Sequence, residues 1–147
     1  MTLEGEYEPS PVARTREQVE AYEASHGERA NTRPETGEPV IIVTTRGNKS
    51  GKLRKTPLMR VEHDGEYAFV ASKSGAANHP VWYHNLKADP SAVTVQDGPE
   101  PFAVEVSEPE GDERTVWWER AVAAFPPYAD YQTKTDRQIP VLVATRR

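Results

Sequence analysis

Six cationic residues lie close together around a predicted hairpin turn, in a chain that is otherwise acidic. They are Arg46, Lys49, Lys52, Arg54, Lys55 and Arg60, and residues 44–61 contain no Asp or Glu. The whole chain has a net charge of −5, so the other residues sum to −11, with 12 Lys and Arg against 23 Asp and Glu. Backbone amides near Gly47 and Gly51 could approach an anion, and Lys and Arg would add charge-assisted hydrogen bonds. The turn therefore indicates either a site for a phosphorylated or carboxylated ligand, or a solvated hairpin whose charges protect an edge strand.

A second segment that could bind a ligand is SKSGAANHPVWYHNL, at residues 72–86. Ser72 and Lys73 stand where a predicted strand opens into a loop, which is a common position for ligand contacts. Trp82, Tyr83 and Asn85 follow on one short predicted helix. The two aromatic residues could line a pocket or could fill the core, so this segment alone leaves both interpretations open.

A third segment carries two tyrosines, Tyr128 and Tyr131, shortly after Phe125 and two prolines. Residues three apart lie on one side of a helical turn. Two phenol groups there could hydrogen-bond a carbonyl and donate a proton to an anion formed in a reaction. Paired surface tyrosines would give the same pattern.

Several classes of active site are excluded by what the chain lacks. It contains no cysteine, which excludes disulfides, thiolate nucleophiles and cysteine-based zinc sites. The four histidines, His26, His63, His79 and His84, show neither HxxxH nor HExxH spacing, so we predict no metal site. The two glycines of the basic turn are one residue too close for a nucleotide phosphate loop of the GxxxxGK type. No Ser-His-Asp set or carboxylate pair stands out, so hydrolysis by side chains is not predicted.

The elements that must position these residues follow from turn and periodicity signals. Residues 15–18 fit a capping box, which predicts a helix over about residues 15–26. Strands are predicted over residues 40–45, 54–62 and 66–72 as an antiparallel meander, and over residues 92–96, 102–106 and 139–144. Further helices are predicted over residues 81–88 and ahead of Pro126. The fold class is therefore α+β, with a closed or partly closed barrel of about six mainly antiparallel strands and short inserted helices.

The length of 147 residues predicts one domain, because two ordinary domains would need a longer chain. Residues 1–12 are acidic and contain proline, so we predict a mobile tail there and a single domain over residues 13–147. No apolar run approaches the roughly 18 residues of a membrane span. The acidic N-terminus lacks the apolar centre of a signal peptide, and we therefore expect a cytoplasmic protein.

Four segments in a fixed order carry a resemblance to a known family. They read TREQVEAYE, IIVTTRGNKSGKLRKTPL, FVASKSGAANHPVWYHNLKADP and FPPYADYQTKTDRQIPV, and together they extend from about residue 12 to residue 143. In this order and spacing they resemble the deazaflavin-dependent nitroreductases, small split-barrel proteins of actinobacteria that use coenzyme F420. The resemblance is to the F420H2-dependent quinone reductases within that family, and it implies a split β-barrel of the FMN-binding type.

The resemblance also implies which residues form the site. It places the phosphate and oligoglutamate tail of the coenzyme on the basic turn, and the deazaflavin ring between two strands and the short helix. The residues implied for the coenzyme are Asn48, Lys49, Ser50, Arg54, Lys55, Thr56, Pro57, Leu58, Met59, Val70, Ala71, Ser72, Lys73, Val81, Trp82, Tyr83, His84, Asn85 and Tyr128. Tyr128, Tyr131 and Ser72 are implied as catalytic residues beside the acceptor. Met59 and Phe125 stand where some relatives carry tyrosine, so fewer hydroxyl groups would surround the acceptor.

The function implied is transfer of a hydride from reduced F420 to a quinone-type acceptor, with incidental reduction of nitroaromatics. This agrees with the missing nucleophile and metal ligands, because the coenzyme carries the reactive group and the protein must bind, orient and polarise. The helix over residues 15–26 could act as a lid on the acceptor site. It could instead touch the inner face of the cell membrane, but its thin apolar stripe and acidic flanks favour the lid.

Three other functions fit parts of the pattern. A related split-barrel enzyme could use FMN, which needs a single phosphate site, whereas six cations suit a longer polyanion. A coenzyme carrier without turnover would need the same binding residues. A small barrel could hold single-stranded nucleic acid on Lys, Arg and aromatic residues, although the acidic remainder of the chain argues against nucleic acid. The oligomeric state is not predicted.

Overall fold

The computed structural model describes residues 3–147 and shows a curled antiparallel sheet of seven strands with four α-helices. The strands are β1 Val40–Arg46, β2 Leu53–Met59, β3 Glu62–His63, β4 Glu66–Val70, β5 Val93–Gln96, β6 Pro101–Ser107 and β7 Val141–Arg146. The helices are α1 Ala13–Ala24, α2 Val81–Ala88, α3 Gly111–Ala124 and α4 Pro127–Thr133. The predicted α+β split barrel is confirmed, with one strand more than the six expected. Among residues 3–147, no helix combines the length and apolar composition that a membrane span requires.

The extra strand arises from a bend in the strand predicted over residues 54–62. The strand order is β2-β1-β5-β6-β7-β4-β3, so β2 and β3 stand at opposite ends of the sheet. Only Arg60 and Val61 separate them in the chain, and the sheet must therefore curl until its ends approach each other. The predicted meander is wrong in this respect, because β2 pairs with β1 while β3 pairs with β4. Alternation of side chains along a strand does not reveal where the strand turns a corner.

Both faces of the sheet are covered by apolar residues. Neighbouring side chains on a strand point to opposite faces, and β4 divides accordingly: Phe69 packs in the cluster inside the barrel, and Ala68 packs in the cluster beneath α3 and α4. The inner cluster includes Leu86 from α2. The sheet is thereby packed against α2 on its inner face and against α3 and α4 on its outer face.

Helix α1 packs on the outside of the barrel and begins two residues earlier than predicted. Its N-cap is Val12 without a side-chain cap, so the predicted capping box at residues 15–18 is wrong. The amide of Gln18 instead donates to the carbonyl oxygens of Ala30 (3.1 Å) and Thr32 (2.9 Å). Tyr22 packs with Ile42 of β1. The helix therefore anchors the linker that leads into β1.

The N-terminal segment runs beside β2. The Leu53 amide donates to the Glu6 carbonyl (2.7 Å), and the Glu8 amide donates to the Leu53 carbonyl (2.9 Å). The predicted tail also includes residues 1 and 2, which lie outside the described residues. The mobility of residues 1–12 stays a prediction, but these contacts place three glutamates of the segment, Glu4, Glu6 and Glu8, next to the basic turn.

Candidate active site

One cavity of about 320 Å³ collects residues from all the segments that the sequence singles out. It lies between the end of β2, the end of β4 with its following loop, the start of α2, and α4. The sequence-predicted residues that line it are Pro57, Leu58, Met59, Val70, Ser72, Lys73, Trp82, Tyr128 and Tyr131. The other lining residues are Arg33, Ser74, Pro80 and Phe125. Residues that are distant in the chain therefore line one common cavity.

The remaining predicted residues lie outside this cavity. They are Asn48, Lys49, Ser50, Arg54, Lys55, Thr56, Ala71, Val81, Tyr83, His84 and Asn85. Among them, Val81 is largely exposed, and the Tyr83 hydroxyl donates to a carboxylate oxygen of Glu108 at 2.9 Å. The Tyr83 side chain is thus engaged with the β6–α3 connection.

An aromatic cluster forms the wall contributed by α4. The rings of Phe125 and Tyr128 pack edge to face with centroids 5.0 Å apart, and the Tyr128 and Tyr131 rings do so at 6.3 Å. Burial raises the pKa of the Tyr128 hydroxyl, and the neighbouring Tyr131 raises it further. A phenol in that environment holds its proton and donates a hydrogen bond rather than releasing the proton.

The loop after β4 has an unusual backbone conformation where it borders the cavity. Lys73 and Ser74 have φ angles of 45° and 55°, and Gly75 follows at 82°. Non-glycine residues adopt this left-handed region at a cost that the surroundings must offset. A Cβ atom on Gly75 would stand 2.8 Å from the Tyr131 carbonyl oxygen. The loop therefore packs directly on α4, and its shape fixes where Lys73 and Ser74 meet the cavity.

Arg137, in the segment between α4 and β7, holds this loop from behind. Its guanidinium donates to the carbonyl oxygens of Ala71 (3.0 Å), Ser72 (2.8 Å) and Ala76 (2.9 Å). The same group lies 3.0 Å from Nδ1 of His79. Burial lowers the pKa of His79, and the positive charge of Arg137 lowers it further. A neutral His79 can accept a hydrogen bond from Arg137. The Arg137 guanidinium therefore has four hydrogen-bond partners, three carbonyl oxygens and one imidazole nitrogen.

The basic turn is tied to α2 by Asn85, a buried residue with 2% of its surface exposed. Its side-chain oxygen accepts from the Asn48 amide at 3.0 Å, and its amide nitrogen donates to the Thr45 hydroxyl at 3.3 Å. A Cβ on Gly47 would lie 2.8 Å from the Ser50 hydroxyl and 3.9 Å from Cγ of Arg54. Asn48, Ser50 and Arg54 therefore meet at one surface, which continues along β2 into the cavity.

Carboxylates of the same chain face the cations of this surface. Glu6 lies 3.7 Å from Lys52, and Glu8 lies 3.5 Å from Arg54. Glu23 of α1 forms an ion pair with Lys55. Lys55 is therefore engaged on the outer face of the barrel. The positive charge that the sequence concentrates near the turn is partly neutralised by the N-terminal segment and α1.

Comparison with known proteins identifies the family. A family model described as F420H(2)-dependent quinone reductase matches residues 14–146. The chain belongs to the F420H2-dependent quinone reductase family. Membership confirms the family, the enzyme class and the dependence on F420 that the resemblance implies.

Individual proteins are similar to this chain over most of its length. An F420H2-dependent quinone reductase of Mycobacterium tuberculosis is 38% identical over 112 residues, which are 74% of this chain and 74% of that protein. A solved F420H2-dependent reductase is 56% identical, with a TM-score of 0.68 over 72% of this chain and 93% of its own. A second solved structure, described as a domain-swapped dimer, is 49% identical, with a TM-score of 0.71 over 92% of this chain and 99% of its own.

Sequence reasoning missed three features of this candidate site. Arg33 stands in a polar linker, and Arg137 binds backbone carbonyls, which have no sequence signature. The third feature is the part of the chain that borders the acceptor side, where the sequence analysis expected α1 as a lid. No residue of α1 lines the cavity, whereas Arg33 of the linker between α1 and β1 does. An alignment of relatives could reveal Arg33 and Arg137, if arginine recurs there at a fixed spacing from the segments that line the cavity.

Replacing Asn85 with alanine should destabilise the reductase by about 1–3 kcal/mol, because the buried Thr45 hydroxyl loses its donor and the part-buried Asn48 amide loses its acceptor. Chemical denaturation would measure this change. We expect the coenzyme affinity to fall as well, because the turn that carries Asn48 would lose its tie to α2. Gln138→Ala removes an amide side chain from an exposed position and serves as the control. Unchanged stability and affinity in Asn85→Ala would contradict the role of the tie.

Proposed function

We propose that this chain reduces a quinone-type acceptor in the 320 Å³ cavity, with F420H2 as the hydride donor. The observation that supports it is that nine residues implied by the family resemblance, on β2, on β4 and its following loop, on α2 and on α4, converge on that one cavity. An apolar slot with a few polar groups is typical of cofactor sites. Reduction of nitroaromatics is a secondary activity in this proposal.

The residues present fit the coenzyme in two parts. Pro57, Met59, Val70 and Trp82 offer apolar surface for a flat ring system, and Lys73 stands beside them. Trp82 is itself held edge to face against Phe69, with centroids 6.4 Å apart. When bound, reduced F420 supplies a hydride. We assign the ring to this slot.

The anionic tail is assigned to the basic turn. Asn48, Ser50 and Arg54 meet there, and β2 joins them to the slot through only two intervening residues between Arg54 and Pro57. Charge-assisted hydrogen bonds from Arg and Lys favour phosphate and carboxylate groups. Glu8 competes with the tail for Arg54, because one edge of the guanidinium faces that carboxylate.

The acceptor is assigned to the side of the cavity formed by α4. Tyr128 and Tyr131 of α4, together with Ser72 from the loop after β4, line the cavity and carry hydroxyl groups. Such donors can hydrogen-bond a quinone oxygen and stabilise the charge that develops on it. The cover that we predicted for α1 moves, in this proposal, to the linker that carries Arg33. Contact of α1 with a membrane surface stays a prediction.

The direct test of the coenzyme is titration of the protein with F420 and, separately, with FMN, followed by tryptophan fluorescence. We expect F420 to bind more tightly, because its longer anionic tail can reach the basic turn. Trp82 lines the cavity, so its emission should change on binding. Binding of FMN without binding of F420 would favour the FMN-dependent alternative and contradict the proposal.

Replacing Tyr128 with phenylalanine should lower kcat/KM for menadione, a soluble quinone, by about 10- to 100-fold, because one donor to the developing oxyanion is lost. The coenzyme Kd should change by less than about twofold, since 1.4 kcal/mol corresponds to a tenfold change. Tyr131→Phe measures the second hydroxyl by the same assay. Wild-type rates in both variants would remove the tyrosines from the mechanism.

A further inference from the structure

The linker between α1 and β1 sends one charged side chain into the cavity. Arg33 lines it together with Phe125 and Tyr128, and 31% of the arginine side chain is exposed. Its guanidinium carbon lies 5.2 Å from the centroid of the Phe125 ring. A cation over an aromatic face at this distance is attracted by the electrons of the ring. The charge is therefore held at the acceptor side.

The backbone around Arg33 is fixed at both ends of a tight turn. The Arg33 amide donates to the Glu38 carbonyl at 2.7 Å, and the Gly37 amide donates back to the Arg33 carbonyl at 2.8 Å. Gln18 of α1 holds the carbonyl of the preceding residue, Thr32. The guanidinium also donates to the Thr36 hydroxyl at 3.0 Å. Helix α1 and the turn thus position the arginine without contacting the cavity themselves.

The charge of Arg33 is only partly balanced by neighbouring carboxylates. Glu35 lies 3.8 Å from Nε of Arg33, beyond hydrogen-bonding distance, and it also pairs with Arg14. Among residues 3–147, those that line the cavity include the cations Arg33 and Lys73 and no carboxylate. In a chain with a net charge of −5, this cavity is a region of positive charge. Such a region favours a ligand or an intermediate that is negative.

Quinone reduction creates such a negative species. Hydride addition forms one new bond to hydrogen, reduces the quinone by two electrons and leaves one of its oxygens as an anion. A proton from solvent then completes the hydroquinone. The donor named in the proposed function supplies the hydride and is oxidised by two electrons. Arg33 lines the same part of the cavity as Phe125 and Tyr128, so its fixed positive charge can stabilise the anion until solvent protonates it.

We propose that Arg33 is a further catalytic residue, whose guanidinium stabilises the negative charge on the oxygen of the quinone acceptor. This rests on the proposed function, since it assumes that a quinone occupies the α4 side of the cavity. The positive charge of Arg33 also favours binding of acceptors that are already anionic over neutral acceptors of similar size. An arginine serves this role better than a lysine because its fork of donors is planar and always charged.

The test compares two quinones of similar size at equilibrium. Protein saturated with oxidised F420, which cannot turn over, is titrated with 2-hydroxy-1,4-naphthoquinone, an anion at neutral pH, and with neutral menadione. We expect Arg33→Gln to raise the Kd of the anionic quinone by about 10- to 100-fold and that of menadione by less than about threefold. Arg33→Lys should recover part of the loss. Arg29→Gln removes the same charge from an exposed position of the same linker and should behave as wild type.

Steady-state kinetics separate the role in catalysis from a role in binding. With menadione as the acceptor, Arg33→Gln should lower kcat by about tenfold or more while KM changes little, because the neutral ground state gains little from the charge. Equal weakening of both quinones, or no change in either, would overturn the proposal. Loss of F420 binding in Arg33→Gln alone would place the arginine on the coenzyme side and overturn it too. Failure of F420 to bind the wild-type protein would instead reject the proposed function.

Discussion

Replacing Arg137 with lysine should weaken binding of F420 by about 10- to 100-fold, because one guanidinium holds three carbonyl oxygens of the loop that borders the cavity. A lysine ammonium is a compact charge on a flexible stem and cannot span the carbonyls of Ala71, Ser72 and Ala76 in the same way. The free energy of unfolding should fall by about 1–3 kcal/mol, since acceptors facing the arginine lose their donor. Fluorescence titration and urea denaturation measure the two effects.

Two comparisons show whether Arg137 acts through the loop. Arg29→Lys makes the same chemical change on an exposed linker position and should alter neither quantity. In Arg137→Lys, saturating coenzyme should restore much of kcat for menadione, because the loop can still close around the ligand at a binding cost. If stability falls while the coenzyme Kd stays at the wild-type value, Arg137 supports the fold only and does not position the site.

The reason for expecting so large an effect is the conformation that Arg137 stabilises. Lys73 and Ser74 both occupy the left-handed region, where non-glycine residues are strained. Without the arginine, the loop can relax toward ordinary backbone angles. Lys73 would then leave its place beside the slot that we propose for the coenzyme ring. The loop is therefore a segment whose local geometry is set by a residue more than sixty positions away in the chain.

The strands and turns of this fold could be predicted from the sequence because their signals are local. The run of β-branched residues in β1 and the Asp64-Gly65 turn are examples, and the structure places a strand and a hairpin there. The corner that brings the two ends of the sheet together could not be predicted in the same way. It lies at Arg60 and Val61, whose residue types are ordinary for a continuous strand.

The candidate site divides along the same line. Tyr128, Tyr131 and Trp82 could be singled out because their side chains have recognisable chemistry, and they meet in one cavity. Arg33 and Arg137 could not, because their partners are an aromatic face and backbone carbonyls supplied by other segments. The carboxylates that face the basic turn were also missed. Charge counts along the chain do not show that a distant acidic segment folds back onto a basic one.

Charge changes on the two sides of the basic turn should move coenzyme affinity in opposite directions. Lys49→Glu combined with Arg54→Glu should weaken F420 by about 100-fold, because two charge-assisted contacts to the anionic tail become repulsions. Glu6→Gln combined with Glu8→Gln should tighten F420 by about two- to fivefold, because a surface ion pair contributes only about 0.2–1 kcal/mol and the tail no longer competes with it. Both changes should shrink in high salt, which screens exposed charges.

The neutral quinone supplies the internal reference for these variants. KM for menadione should stay within about twofold of wild type in both variants, because the exchanged charges lie at the turn and the quinone is assigned to the cavity further along β2. A twofold change corresponds to less than about 0.5 kcal/mol. Glu17→Gln combined with Glu20→Gln removes the same charge from the exposed side of α1 and should leave F420 affinity unchanged. Equal loss of coenzyme and quinone in the charge-reversed variant would indicate unfolding rather than loss of a tail site. Weaker F420 binding after the Glu6 and Glu8 changes would mean that the N-terminal segment helps to build the site instead of competing for it. The sign of that one change therefore decides whether the acidic segment is a rival of the coenzyme tail or a part of its support.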